Sequence, residues 1–390
     1  MSSYPELIEK YVLQDDLRSF DPYDIWKSVP GAWVKKKYYS NKAFSVLAAG
    51  LSVFDLFLNN RARWLYKRQE HPVVRAFAAS ILNKLYAEEN KAAYLNYAKK
   101  NILWLLENTQ KTGSGVGWGL GFYHPVSNTV AYPENAAFST ITPYMLEALI
   151  EDERIQGSYG AHKDVLQGVY RFFNEDIQVL EETDGYQVTS YGTQKDRKVV
   201  NAVSYTLYSI LRLNDYFKQN ATGSLNPEKL YNYVVSMQRP DGSWYYSEEG
   251  KPFIDCFHSC IVLKNLIKSV PYFPIDENVI SKGYHYIKSN FKDPAKGLYR
   301  RFSLTNKPGL IKYDLYDQAE MLNIAVLMDD RAEADAILAA IRKNFITPSG
   351  IYSSIDLWGF RRNKNFLRWA VMPFLYSYTN YNLKYGRENN

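Results

Sequence analysis

The strongest constraint on this chain is an internal repeat, in which an amphipathic helix, a glycine beside an aromatic residue, a polar loop and a more apolar helix recur in order. Leu230 to Gln238 leads into Asp241-Gly242-Ser243-Trp244-Tyr245-Tyr246 and then Ile254 to Ile267. Val279 to Phe291 leads through Gly297-Leu298-Tyr299 to Asp314 to Met328, and Ala332 to Phe345 through Gly350-Ile351-Tyr352 to Asn365 to Tyr378. Upstream, Val165 to Leu180 precedes Asp184-Gly185-Tyr186 and Asn201 to Phe217, and Ala92 to Asn108 precedes Gly117-Trp118-Gly119 and Ala136 to Ile150. The glycines at 185, 242, 297 and 350 lie 57, 55 and 53 residues apart. Two helices of roughly 14 to 17 residues with their connections fill such a period, and each hairpin needs neighbours to bury its apolar face. A sixth hairpin can be built from Ala43 to Leu58 with Val73 to Glu89. The expected fold is all-α: one (α/α)6 toroid over residues 42–390, with residues 1–41 as an N-terminal arm packed on it. An open solenoid would have short, similar turns, whereas these loops are long and differ in every copy. Such loops on the rim of a rigid scaffold are where function concentrates.

The 34 tyrosines among the aromatic residues suit a wet groove that stacks flat rings, although a biased genome would also supply them. Net charge is +6, and the dense basic spots are Lys35-Lys36-Lys37, Arg300-Arg301 and Arg361-Arg362. A nucleic-acid binder would concentrate its charge in a longer stripe, so nucleic acid is not expected; a mild preference for anionic ligands is. The most apolar segment, Ala43 to Leu58, is shorter than a membrane span and contains Asp55, so no membrane span is expected. Met1-Ser2-Ser3-Tyr4-Pro5-Glu6 does not read as a leader peptide. Cys256 and Cys260 lie four apart on one helix, where a disulfide is awkward, and reduced thiols suggest a cytoplasmic protein.

Four second helices open alike, with Asn201 and Ser204, Asp255 and His258, Asp314 and Asp317, Asn365 and Arg368. The first member of each pair reads as a helix N-cap. The second lies in the first turn and can face the toroid mouth, where varied chemistry at one repeated position suggests an asymmetric site. His258 is the leading catalytic candidate, because imidazole can take or give a proton near neutral pH; a satisfied structural histidine is the alternative. Asp255, Asp241, Asp317 and Tyr246 are the other catalytic candidates. Trp244 and Tyr245 read as substrate contacts, or as braces for their turn. Asp314 adds a carboxylate next to Asp317, and Asp356, Trp358, Arg361 and Arg362 bring a polar, aromatic and cationic mix to the last loop. Trp118, Tyr123, His124 and Tyr132, with Phe122 and Glu134, make the loop from Gly117 to Asn135 a candidate binding wall. The cysteines fall on other helix faces than His258, so no zinc site is expected. No cofactor is expected either, since Gly113-Ser114-Gly115-Val116-Gly117 lacks the lysine and strand of a phosphate loop.

Five stretches stand out together: Phe20-Asp21-Pro22-Tyr23-Asp24, Gly117-Trp118-Gly119-Leu120-Gly121-Phe122, Ser139-Thr140-Ile141-Thr142, Asp241 to Tyr246 and Phe253 to Leu263. In these the chain resembles a family of bacterial proteins encoded with exopolysaccharide and O-antigen genes. That family shares the α/α-toroid class with terpenoid cyclases, prenyltransferase subunits and six-hairpin glycosidases. The Asp-rich motif of the cyclases and the zinc ligands of the prenyltransferases have no counterpart here. The resemblance implies a carbohydrate-active protein of surface-polysaccharide biosynthesis or processing, with polysaccharide-biosynthesis enzymes as partners. Two chemistries are open on a glycan that includes uronate. In one, His258 with Tyr245 or Tyr246 moves the proton beside the carboxylate while Arg361 or Arg362 neutralises it, giving elimination or epimerisation. In the other, Asp255 or Asp317 works with Asp241 or Asp356 in hydrolysis. A non-catalytic glycan-binding or scaffolding subunit is the alternative to both.

Overall fold

The computed structural model describes residues 3–218, 223–247, 252–305 and 309–386. Its helices in chain order are α1 (Tyr4–Tyr11), α2 (Asp24–Lys27), α3 (Val29–Ser40), α4 (Ser45–Val53), α5 (Pro72–Glu89), α6 (Ala92–Glu107), α7 (Thr142–Gln156) and α8 (Lys163–Arg171). They continue with α9 (Val200–Phe217), α10 (Pro227–Ser236), α11 (Cys256–Ser269), α12 (Glu277–Phe291), α13 (Leu315–Leu327), α14 (Arg331–Phe345) and α15 (Met372–Tyr385). Each of α5, α7, α9, α11, α13 and α15 packs on the next, and α15 packs back on α5, closing an inner ring. Outer helices lie against it, α6 on α5, α10 on α9, α12 on α11 and α14 on α13. This is the (α/α)6 toroid that the repeat predicts.

Helix composition explains the two layers. Inner helices such as α9 and α13 are buried on nearly every face, whereas α12 buries Val279, Ile280, Gly283, Tyr286, Ile287 and Phe291 at helical spacing and shows solvent its other side. The outer starts are held by side-chain caps, with Asn226 accepting from Glu228 N, Asp276 from Asn278 N and Asp330 from Glu333 N.

The sixth outer position is filled differently from the sequence expectation. Helix α1 takes it, packing on α15 through buried Leu7, Ile8 and Tyr11, with Tyr4 Oη 2.7 Å from Thr379 Oγ1. The Ala43 to Leu58 stretch is α4 and its extension, and α4 buries none of its residues. Apolar composition marked that stretch as a core helix; its surroundings leave it on the surface.

The glycine markers are β-hairpin turns between outer and inner helices. Lys292–Asp293 pairs with Leu298–Tyr299 around Gly297, and Ile346–Thr347 with Gly350–Asp356. Gly242 has φ +91°, and a Cβ there would lie 2.4 Å from Lys282 O, so only glycine fits the turn. The bore beneath is filled by polar pairs, among them Lys264 Nζ to Glu320 at 2.8 Å and Lys268 to Glu147. Among the described residues, no helix is long and apolar enough to cross a membrane.

Candidate active site

The N-terminal ends of the inner helices and the loops that feed them surround a cavity of about 370 Å³. That is at the small end for ligand pockets, suited to a short saccharide rather than a threaded polymer. Helix α11 contributes Phe257 and His258 with its cap Asp255, and α13 contributes Tyr316 and Asp317. Arg368 and Trp369 come from the turn into α15, and Tyr144 and Tyr205 from α7 and α9. The two phenols touch, 2.5 Å apart, over the filled bore and form the floor.

Asp255 does two things. Its Oδ1 accepts from His258 N at 2.7 Å, capping α11, and its Oδ2 lies 2.7 Å from His258 Nδ1. A carboxylate only accepts, so in the neutral imidazole this contact places the proton on Nδ1 and leaves Nε2 as an acceptor. No described residue bonds Nε2. The ring is packed between Phe257, at 5.1 Å, and Tyr246, at 4.4 Å between centroids.

Asp317 is the opposite kind of group. It is buried, and Oδ2 has no hydrogen-bond partner among the described residues. Burial, together with the neighbouring Asp314 and Asp255, raises its pKa well above the usual carboxylate range, against the pull of Arg301. The protonated acid is therefore favoured. Asp314 caps α13 through Tyr316 N at 2.9 Å and accepts from Trp369 Nε1 at 2.9 Å; burial raises its pKa as well.

Cations line the remaining wall. Arg301 lies 3.9 Å from Asp314 Oδ2, and Arg368 forms a two-pronged ion pair with buried Asp21 of the N-terminal arm. Lys35 and Arg197 have no carboxylate within ion-pair distance among the described residues. Arg197 Nη2 instead donates to Tyr246 Oη at 3.0 Å, and Tyr246 also meets Tyr191 Oη at 3.0 Å. Burial, with Arg197 nearby, lowers the Lys35 pKa to about 8. His124 is lowered to about 3 by burial and by Lys35 and Arg197, so it is neutral in this wall.

The structure thus brings together Asp255, His258, Asp317, Tyr246, His124 and Tyr132 around the cavity, and Asp314 touches its wall through Trp369 and Arg301. Tyr132 is fully buried and donates to Asp196. Other candidates lie elsewhere. Trp118 and Trp244 are core residues whose indole N–H groups bond Leu105 O at 2.9 Å and Val234 O at 3.0 Å. Each braces its turn against the preceding outer helix. Tyr245 turns under Arg239, and Tyr123 is exposed outside the cavity. Asp241 shapes its own turn through Ser243. Asp356 is buried, accepting from Trp358 N, Phe360 N and Arg362 Nε, while Trp358 is exposed and Arg361 bonds Asn344 O. That loop lies on another face because it pairs as a strand, Arg361–Lys364 against Gly350–Asp356. Of the four expected caps, Asp255 and Asp314 cap. Asn201 sits inside α9, and Asn365 accepts from Ile351 N and Tyr11 Oη.

Sequence reasoning missed Tyr23, Lys35 and Tyr39 of the arm, and Asp196, Arg197 and Arg301 of the loops. The dense cluster Lys35-Lys36-Lys37 and the pair Arg300-Arg301 were the available signals. Among the described residues, no group of three or more His, Cys, Asp or Glu is disposed to hold a metal ion, and Cys256 and Cys260 are free buried thiols with sulfurs 3.9 Å apart.

No protein-family model matches the chain, and no curated protein matches it in sequence. Its fold is similar to that of a GH76 α-mannanase from Bacteroides thetaiotaomicron, with a TM-score of 0.62 at 12% identity over 95% of this chain and 100% of that one. A sugar epimerase from a ruminal bacterium aligns with a TM-score of 0.56 at 13% identity, covering 80% and 89%. An unsaturated glucuronyl hydrolase specific for heparin aligns at 0.54 with 11% identity, covering 81% and 88%. The chain shares with them the six-hairpin toroid.

Proposed function

We propose that this protein is a carbohydrate-active enzyme that removes the proton beside the carboxylate of a uronate-bearing saccharide. The observation that carries this reading is the pairing, on adjacent inner helices, of a His258 acceptor fixed by Asp255 with the acid Asp317, whose Oδ2 is unpartnered. Lys35 and Arg197 hold the sugar carboxylate, and Arg197 reaches the dyad through Tyr246. His258 Nε2 takes the proton from the carbon next to the carboxylate. As the C–H electron pair moves in to form a carbon–carbon double bond, the adjacent C–O bond breaks and its oxygen leaves with the Asp317 proton. His258 then returns its proton to Asp317 and resets the site. If the oxygen is retained and a proton is delivered from the other face, the same groups give epimerisation.

Of the carboxylates that hydrolysis would pair, Asp255 and Asp317 line the cavity while Asp241 and Asp356 do not, and Asp255 already serves His258 through both oxygens. The names of the three similar structures, all carbohydrate-active enzymes, support the substrate class. The resemblance carried by Phe20 to Asp24, Asp241 to Tyr246 and Phe253 to Leu263 supports a setting in cytoplasmic surface-polysaccharide synthesis or processing, beside other enzymes of that system.

The test is a panel of uronate oligosaccharides incubated in heavy water, read by mass spectrometry for deuterium at the carbon beside the carboxylate and by ultraviolet absorbance for an unsaturated uronate. Either signal is expected, falling by about 10²-fold or more in His258→Gln and in Asp317→Asn. Saccharides bound but left unchanged would refute the enzyme and favour a glycan-binding subunit.

A further inference from the structure

Helices α3 and α4 present a surface that the cavity chemistry does not use. Helix α4 carries no charged side chain and buries none of its residues, whereas a helix apolar all round normally lies in a core or in lipid. Val46 is 79% exposed, Leu58 70% and Leu65 96%, and Trp33 and Trp64 are exposed with them. Trp33 meets Phe44 at 5.5 Å and Phe57 meets exposed Trp358 at 5.6 Å, so α3, α4 and the Trp358 turn form a continuous patch. Exposed patches of this kind mark interaction surfaces.

Charge selects the partner. From Ser28 to Gln69 the only acidic residue is Asp55, which is buried and 3.3 Å from Arg63. The exposed charges that residues 28–69 carry, Lys36, Lys37, Lys42, Arg61, Lys67 and Arg68, are therefore all positive, with Arg68 lying 3.8 Å from Asp16. A twofold contact with a second copy would set these cations against themselves with no acid to pair them. An anionic bilayer instead takes apolar side chains into its acyl boundary, tryptophans at its interface and basic residues against its headgroups.

We infer that the α3–α4 face docks the protein onto the surface of an anionic membrane without crossing it. Helix α3 also supplies Lys35 and Tyr39 to the cavity, so docking places that mouth beside the headgroups. The inference is independent of the reaction proposed above.

The test uses the full chain in co-sedimentation with phosphatidylcholine vesicles, alone and mixed with phosphatidylglycerol. Binding to the mixed vesicles that weakens with salt is expected. Val46→Asp with Leu58→Asp should cut it at least tenfold, and Lys36→Glu or Lys37→Glu about fivefold each. All four side chains are solvent-facing, and unchanged thermal unfolding of the variants confirms that they fold. Protein left in the supernatant with mixed vesicles, or equal binding to both vesicle types, would overturn the inference. So would a concentration-dependent dimer in sedimentation velocity that Val46→Asp abolishes, which would assign the face to a second copy.

Discussion

Asp255→Asn separates the two jobs of one carboxylate. In the native site Oδ1 caps α11 through His258 N, and Oδ2 accepts from His258 Nδ1, each at 2.7 Å. Asparagine is as good an N-cap as aspartate, so the helix loses only the favourable charge at its positive end, about 0.3–1 kcal/mol. The imidazole fares worse. With the amide oxygen on the backbone N–H, the amide nitrogen faces Nδ1 and donates, driving the ring proton to Nε2, where the substrate proton should be received. Loss of an orienting carboxylate of this kind costs on the order of 10⁴ in kcat where the geometry is otherwise intact. Asp255→Ala removes the cap as well and costs about 0.5–2 kcal/mol more. Initial rates on the best uronate substrate, beside urea unfolding of the three proteins, check this. Asp255→Asn retaining kcat within fivefold would refute the tautomer argument, and its unfolding as readily as Asp255→Ala would refute the cap argument.

Three further outcomes follow from the same geometry. Asp317→Asn is expected to lower kcat about 10²-fold or more and yet to gain stability over the native protein as pH rises. The Asp317 pKa is raised on folding, so its contribution is fully present below the unfolded carboxylate value and is lost as pH rises through the folded one; asparagine does not titrate. Urea unfolding at acid and neutral pH measures the crossover. Lys35, with a pKa lowered to about 8, loses its charge above that pH, so KM for a uronate should rise there in the native protein and stay flat in Lys35→Gln. Trp118→Phe and Trp244→Phe, which each remove one buried indole hydrogen bond, should cost about 1 kcal/mol by denaturation and leave KM unchanged.

How far the site could be read before folding varied residue by residue. His258 and Asp317 could be placed at the cavity because they occupy the same first-turn position of a repeated helix, and a repeat fixes which end of each helix meets the mouth. Trp118 and Trp244 were misplaced because a loop aromatic beside a glycine serves equally to stack a sugar or to reach a helix carbonyl. Only the packed turn distinguishes the two. The last loop, with Asp356, Arg361 and Arg362, was drawn off the mouth by strand pairing that its polar composition does not announce.

The repeat alone dictates the toroid, since a period near 55 residues of paired amphipathic helices can bury its faces only against its own neighbours. Tertiary structure alone decided that α1 rather than the Ala43 to Leu58 stretch completes the outer ring, and that the arm enters the site. The Asp21 to Arg368 pair joins residues 347 positions apart, and with Tyr23, Lys35 and Tyr39 it depends on ring closure bringing the first residues beside the last helix. Local pattern records periodicity, but the meeting of distant segments is a property of the closed ring.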